Sequence, residues 1–216
     1  MKVWSPAQCA ALLDWAKRVR PEWHPMWLLL FTTGVRRGEL CGMRWSDIDL
    51  AEGTVTVRRS VNVITGGGSR VFQIGPPKNG NARTIALDGG TVAALRAWRL
   101  ARAEVGLVLV RGDSYVFGDL AGGHRDPVAI AEAFTRHIRM ARDAGATVEL
   151  PTIRFHDVRH SHATALLLAG VPVQVAAERI GDDPGTMLRV YAHVLPGQQR
   201  QAAEAVAALL VTSSVT

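Results

Sequence analysis

Apolar residues recur with helical spacing over most of the chain and with a period of two over one central region. Ser5 and Pro6 read as an N-cap and first helical residue, and Ala10, Leu12, Leu13 and Trp15 mark an amphipathic helix to about Arg20, where Pro21 stops it. A mostly apolar helix follows from Pro25 to Thr32, then TGVRRGEL (33–40), where Gly34 permits a tight bend just before Arg36. Between Gly53 and Leu87 the alternating runs TVTVRRSVNVI, VFQIG and RTIAL predict three antiparallel strands, separated by TGGGS and PPKNGNA. The Asn79-Gly80 pair is a hairpin-turn signal and sets Lys78 at the tip between the second and third strands.

Helices resume after Leu87. Asp88 caps one carrying Val92, Leu95 and Trp98 to about Glu104, and Asp126-Pro127 opens another to about Ala144 with Ile130, Phe134, Ile138 and Met140 as its stripe. A helix from about Arg154 to Leu168 ends at Gly170; Pro172 starts one that reaches Ile180, and Asp183-Pro184 starts one that carries Tyr191. An Ala-rich helix over about 198–210 closes the pattern. The fold class expected is mixed, mainly α with a small three-stranded antiparallel sheet.

Composition changes this picture little. With 216 residues and 48% hydrophobic content the chain can bury a core, and it is read as a single domain over 1–216. Basic residues outnumber acidic ones by 25 to 19, giving +6, which is compatible with a polyanionic partner. Only Lys2, Lys17 and Lys78 among them are lysines, and an Arg-rich, Lys-poor chain also arises from genomic base composition. Cys9 and Cys41 are isolated, so neither a disulfide framework nor a thiolate metal site is suggested. The apolar runs MWLLLF and AVAALLV are too short to cross a bilayer, so no membrane partner is expected and a cytoplasmic location is.

Candidate chemistry concentrates between Arg154 and Val194. His156 and Arg159, three apart on a helix, share a face and can meet one small anion, and Tyr191 is one of only two tyrosines in the chain. A cation, a proton carrier and a phenol in one unit suggest chemistry on a phosphate. Arg36 gains weight because an apolar helix delivers it inward and Glu39 stands at i+3.

Four pieces, TGVRRGEL, PPKNGNARTIAL, HDVRHSHAT and the run from Asp182 to Tyr191, resemble in order and spacing the boxes of the tyrosine recombinase (phage integrase) family. The resemblance covers nearly the whole chain as that family's catalytic domain and implies its DNA breaking-rejoining fold. It implies Arg36 and Arg159 as phosphate-clamping arginines, Lys78 as the hairpin lysine, His156 as the histidine of the HxxR pair and Tyr191 as nucleophile. Glu39 and His160 fall at supporting positions.

Site-specific recombination or integration through a 3′-phosphotyrosyl intermediate on double-stranded DNA is then expected, without metal or other cofactor. Self-association as a tetramer on DNA is also implied, with the helix from Gln198 as a docking element between protomers, in a bacterial, phage or mobile-element setting.

Two departures from the family pattern stand out. Asp182 occupies the position, nine residues before the tyrosine, where a His or Trp is usual, in IGDD instead of an LGH-like turn. A carboxylate there repels phosphate unless it is protonated or paired with an arginine; alternatively Asp182 and Asp183 serve a helix N-terminus. The family's N-terminal helical DNA-binding domain is missing from this sequence, which suggests a trimmed or remnant catalytic domain. Two other readings remain: a catalytically impaired, recombinase-like DNA-binding protein, and a zinc hydrolase built on His156, His160 and His162. The second is weakened by HDVRH standing where HExxH is needed.

Overall fold

The computed structural model describes residues 2–66, 69–78 and 80–191, together with positions 203, 204, 206, 207 and 210. The helix expected over about 198–210 therefore lies largely outside the described residues, as does Asn79.

Helix α1 (Pro6–Val19) starts as its sequence demands: Ser5 Oγ accepts from Gln8 N at 3.3 Å and Gln8 Oε1 accepts from Ser5 N at 2.9 Å. It buries Leu12, Trp15 and Ala16 against α2 (His24–Thr33), which is apolar all round and enclosed on nearly every side. At its centre Trp27 is fully buried and donates its indole N–H to His137 Nδ1 at 3.1 Å. Such a side chain contributes about 1.5–3 kcal/mol by burial, provided that its N–H finds a partner. Gly34 ends α2 at φ +63°, and a Cβ there would lie 2.7 Å from His162 Cδ2, so both conformation and space require glycine. The chain then turns into α3 (Arg37–Gly42).

The sheet differs in detail from its expectation. Strands β1 (Ile48–Asp49), β2 (Thr54–Val57) and β5 (Arg83–Ala86) form the three-stranded antiparallel sheet in the order β1-β2-β5, while β3 (Ser60–Gly66) and β4 (Ser69–Gly75) form a separate hairpin. The run TVTVRRSVNVI is thus two strands. Its break falls at Arg58 and Arg59, both held by Asp47, whose side chain is almost wholly buried; Arg58 Nε stands 3.5 Å from Asp47 Oδ1 and Arg59 pairs with the other oxygen. Nor is the β4–β5 connection a hairpin, since β4 pairs with β3 and β5 with β2. It contains a local turn, closed by Gly80 N–H to Pro77 O at 2.8 Å with Gly80 at φ +76°, and Lys78 sits exposed within it.

The remaining helices are α4 (Gly89–Val105), α5 (Pro127–Asp143), α6 (Phe155–Leu168), α7 (Val173–Ile180) and α8 (Pro184–Tyr191). Asp88 and Asp126 cap α4 and α5 by accepting from Thr91 N and Val128 N. One core runs from Trp4 through α2, the sheet and α5 to Val158. A smaller cluster joins Ala163 and Leu167 to Ala176, Ala177, Ile180, Met187 and Tyr191, so burying Tyr191 is part of what holds α8 to α6 and α7.

Candidate active site

Residues far apart in sequence converge where α3, α6 and the end of α7 meet β5. Arg36 precedes α3 in an extended conformation, and Glu39 reaches back to accept from Arg36 N at 2.9 Å and Arg36 Nη1 at 3.1 Å. Glu39 is 1% exposed and also receives both nitrogens of Arg83, Nη1 to Oε1 at 3.1 Å and Nη2 to Oε2 at 2.7 Å. Burial pushes the Glu39 pKa up, but the hydrogen bonds and charge of Arg83, then of Arg36, outweigh it and hold the carboxyl below its ordinary value.

Arg159, 3% exposed, projects from α6 into the same place, where Nη1 donates to the carbonyls of Gly34, at 3.1 Å, and Ile180. Burial and the nearby Arg36 lower its pKa, and Asp182 and Glu39 oppose them; a guanidinium remains charged throughout.

Asp182 joins the two arginines. Its Oδ1 accepts from Arg36 Nη2 at 2.6 Å and its Oδ2 stands 2.8 Å from Arg159 Nη2. The turn that presents it is local: Gly181, at φ +69°, and Asp182 send their N–H groups back to Glu178 O and Ala177 O, the double bond of a Schellman ending to α7. Asp183 has the separate job of capping α8, accepting from Thr186 N at 2.8 Å. Of the two carboxylates, only Asp183 serves as a helix cap. Asp182, its side chain 30% exposed, faces a cleft of about 500 Å³ lined by Arg36, Pro77, Arg83, Thr84, Glu178 and Gly181.

Tyr191 is 4% exposed, and its hydroxyl lies 2.6 Å from His160 Nδ1. Burial pushes the phenol up to about 12, while Arg159 pulls it down and Asp182 pushes it up. Burial, then the neighbouring His156, lowers the His160 pKa, which leaves a neutral imidazole at pH 7 able to accept the phenolic proton. His156 is exposed at the rim, its ring edge-on to His160 at 4.9 Å, and partial burial with Arg159 and Arg36 lowers its pKa too.

Of the residues expected in the site, Arg36, Glu39, Arg159 and Asp182 are brought into direct contact, as are His160 and Tyr191. Lys78 is not, although its neighbour Pro77 lines the Arg36–Asp182 cleft. His160, expected only to support, holds the tyrosine. The three histidines of the zinc reading diverge, with His160 Nδ1 on Tyr191 and His162 Nδ1 on the Phe31 carbonyl at 3.0 Å. Among the described residues, no group of three or more His, Cys, Asp or Glu is arranged to hold a metal ion.

Arg83 and Arg179 were missed in the sequence. The alternation of RTIAL sets Arg83 on the same face as the buried Ile85, which marks it as an inward arginine; its partner Glu39 lies 44 residues away. Arg179 gives no such sign, yet its guanidinium donates to Ala86 O at 3.0 Å and Thr32 O at 2.8 Å and ties α7 to β5 and α2.

The phage integrase family pattern matches residues 3–198. The chain belongs to that family.

Among curated relatives it is 30% identical over 193 residues to the tyrosine recombinase XerC-like protein of Caldanaerobacter subterraneus subsp. tengcongensis, across 83% of this chain and 47% of that one. It is 27% identical over 210 residues to the ICEBs1 integrase of Bacillus subtilis, across 94% and 54% respectively. The chain thus spans about half the length of the curated relatives it matches.

Its fold is that of the Tn1549 transposon integrase, solved in complex with transposon right end DNA, with a TM-score of 0.78 at 22% identity over 95% of this chain and 66% of that one. The catalytic domain of bacteriophage HP1 integrase superposes with a TM-score of 0.61 at 17% identity over 94% of each chain. The chain therefore has the fold of a phage integrase family catalytic domain.

Proposed function

We propose that the chain is the catalytic part of a site-specific DNA recombinase or integrase that breaks and rejoins strands through Tyr191. The observation that carries this is the convergence of Arg36 and Arg159 on one anion, the Asp182 carboxylate, with the Tyr191 hydroxyl held by His160, the residue next to Arg159 on α6. A phosphodiester repels nucleophiles by its charge, and two planar guanidinium forks neutralise that charge and favour the pentacoordinate transition state.

In this reading the Tyr191 oxygen attacks phosphorus as its proton passes to His160 Nδ1, forming a phosphotyrosyl bond. The strand's 5′ oxygen leaves and takes a proton from Lys78, delivered on the turn beside the cleft, or from His156 at the rim. Attack by another 5′ hydroxyl reverses the step, so strands are exchanged without an external energy source. Glu39 and Arg83 hold Arg36 in place. Double-stranded DNA is the partner, and the names of the relatives, with the DNA complex of the Tn1549 integrase, support it. A pair of sites is exchanged by protomers gathered on DNA in the cytoplasm.

The test is a nicked suicide DNA substrate carrying a verified site. The chain forms a covalent adduct that survives denaturant, and Tyr191→Phe forms none. Binding without adduct in the unsubstituted chain would mark a DNA-binding relative that has lost cleavage.

A further inference from the structure

We propose that Asp182 is an internal substitute for the phosphate, a carboxylate that occupies the seat between Arg36 and Arg159 in the free protein and must be displaced before a phosphodiester enters. The inference rests on the reading of that arginine pair as the phosphate site. Its two oxygens are divided one to each guanidinium, at 2.6 Å and 2.8 Å, much as two non-bridging phosphate oxygens would be. The seat opens to solvent through the cleft of about 500 Å³, and the Asp182 side chain, 30% exposed, stands at its mouth while Arg159 is buried behind it. Glu39 is shared by Arg83 and Arg36 Nη1 at the back of the site, which leaves Arg36 Nη2 and Arg159 Nη2 turned toward Asp182.

Two consequences follow. In the free protein the carboxylate pairs with both guanidinium groups, that of Arg159 buried and that of Arg36 partly exposed, which the family's His or Trp at this position would not do by charge. On ligand entry the site exchanges one anion for another, so only a ligand that engages both forks wins, and affinity is held below what the bare arginine pair would provide. Neighbouring Asp183, engaged with the N-terminus of α8, takes no part.

The experiment measures inorganic phosphate binding to the full chain at pH 7 by calorimetry for the unsubstituted protein, Asp182→Asn and Asp183→Asn. Asp182→Asn is expected to bind phosphate at least about tenfold more tightly, the effect of one lost charge-assisted contact. Asp183→Asn removes the same charge one residue away, keeps a good cap, and is expected to match the unsubstituted chain. Equal or weaker binding by Asp182→Asn, or the same gain in both variants, overturns the proposal.

A second measurement needs no substitution: the carboxyl carbon resonance of Asp182 moves on saturation with phosphate while that of Asp183 does not, and a stationary Asp182 signal overturns the proposal even if Asp182→Asn fails to fold. The adduct assay separates the two readings. Adduct without an Asp182 effect defeats the substitute alone; tighter phosphate binding without adduct defeats the cleavage reading alone.

Discussion

The hydroxyl of Tyr191 and Nδ1 of His160 lie 2.6 Å apart, so the tyrosine rests on the histidine that follows the HxxR arginine and not on His156. With a phenol pushed up to about 12 and an imidazole pushed below its ordinary 6.5, the proton stays on the Tyr191 oxygen at neutral pH.

His160→Ala is expected to slow adduct formation by about 10²–10⁴-fold, the usual worth of a positioned base. Single-turnover rates against pH separate proton transfer from packing. The unsubstituted chain should lose rate as pH falls through the lowered His160 pKa, below 6.5, and His160→Gln should lose that acid limb while folding normally. An unchanged pH profile in His160→Gln would return the role of base to His156.

Glu39→Ala leaves Arg36 without its capping partner and Arg83, with 9% of its side chain exposed, without a counter-charge. Breaking a buried pair on one side costs about 3–5 kcal/mol, and a large fall in the denaturant midpoint at unchanged slope is expected. The carboxyl's lowered pKa gives stability that is present above its unfolded value of 4.5 and is lost as pH drops through the folded one.

Gly34→Ala meets both a φ of +63° and the His162 ring at 2.7 Å. A loss of about 1–3 kcal/mol is expected from the backbone alone. Because Gly34 O also accepts from Arg159, phosphate binding should weaken along with the melting temperature.

Acid should destabilise the fold through His137, which is 2% exposed and whose ring accepts from Trp27. Burial, then Arg136 and Arg20, bring it from 6.5 to about 4. Between those values the unfolded chain binds a proton that the folded chain refuses, so stability falls as pH drops from about 6.5 to 4, by up to roughly 3 kcal/mol for this one group. His162, also brought to about 4 by burial, acts in the same direction. Equilibrium unfolding at pH 7, 5.5 and 4.5 checks this, and His137→Asn, which keeps an acceptor for Trp27, should flatten the curve.

Most helices were readable because their signals are local. Ser5-Pro6, Asp88 and Asp126-Pro127 sit within three residues of the N–H groups they satisfy, and the stripe from Ile130 to Ala141 repeats with the helix. The strands were less legible. TVTVRRSVNVI has one unbroken period, and nothing local says that Asp47 will hold Arg58 and Arg59 and split it. Strand partners depend on distant chain, so the local Asn79-Gly80 signal sets Lys78 at a hairpin tip although β4 and β5 do not pair.

By itself the sequence determined the mainly helical pattern, the bend at Gly34 just before Arg36, and the four ordered pieces that carry the family resemblance. The tertiary structure decided their relations. Arg36 and Asp182 are 146 residues apart, Arg159 and Gly34 are 125 apart, and no periodicity couples such positions. Packing of α6 and α7 against α2 and β5 brings them together, and a buried guanidinium then takes whatever acceptors that packing supplies. For that reason Asp182, ambiguous in the sequence between a helix cap and a site residue, is in the fold the bridge between the two arginines.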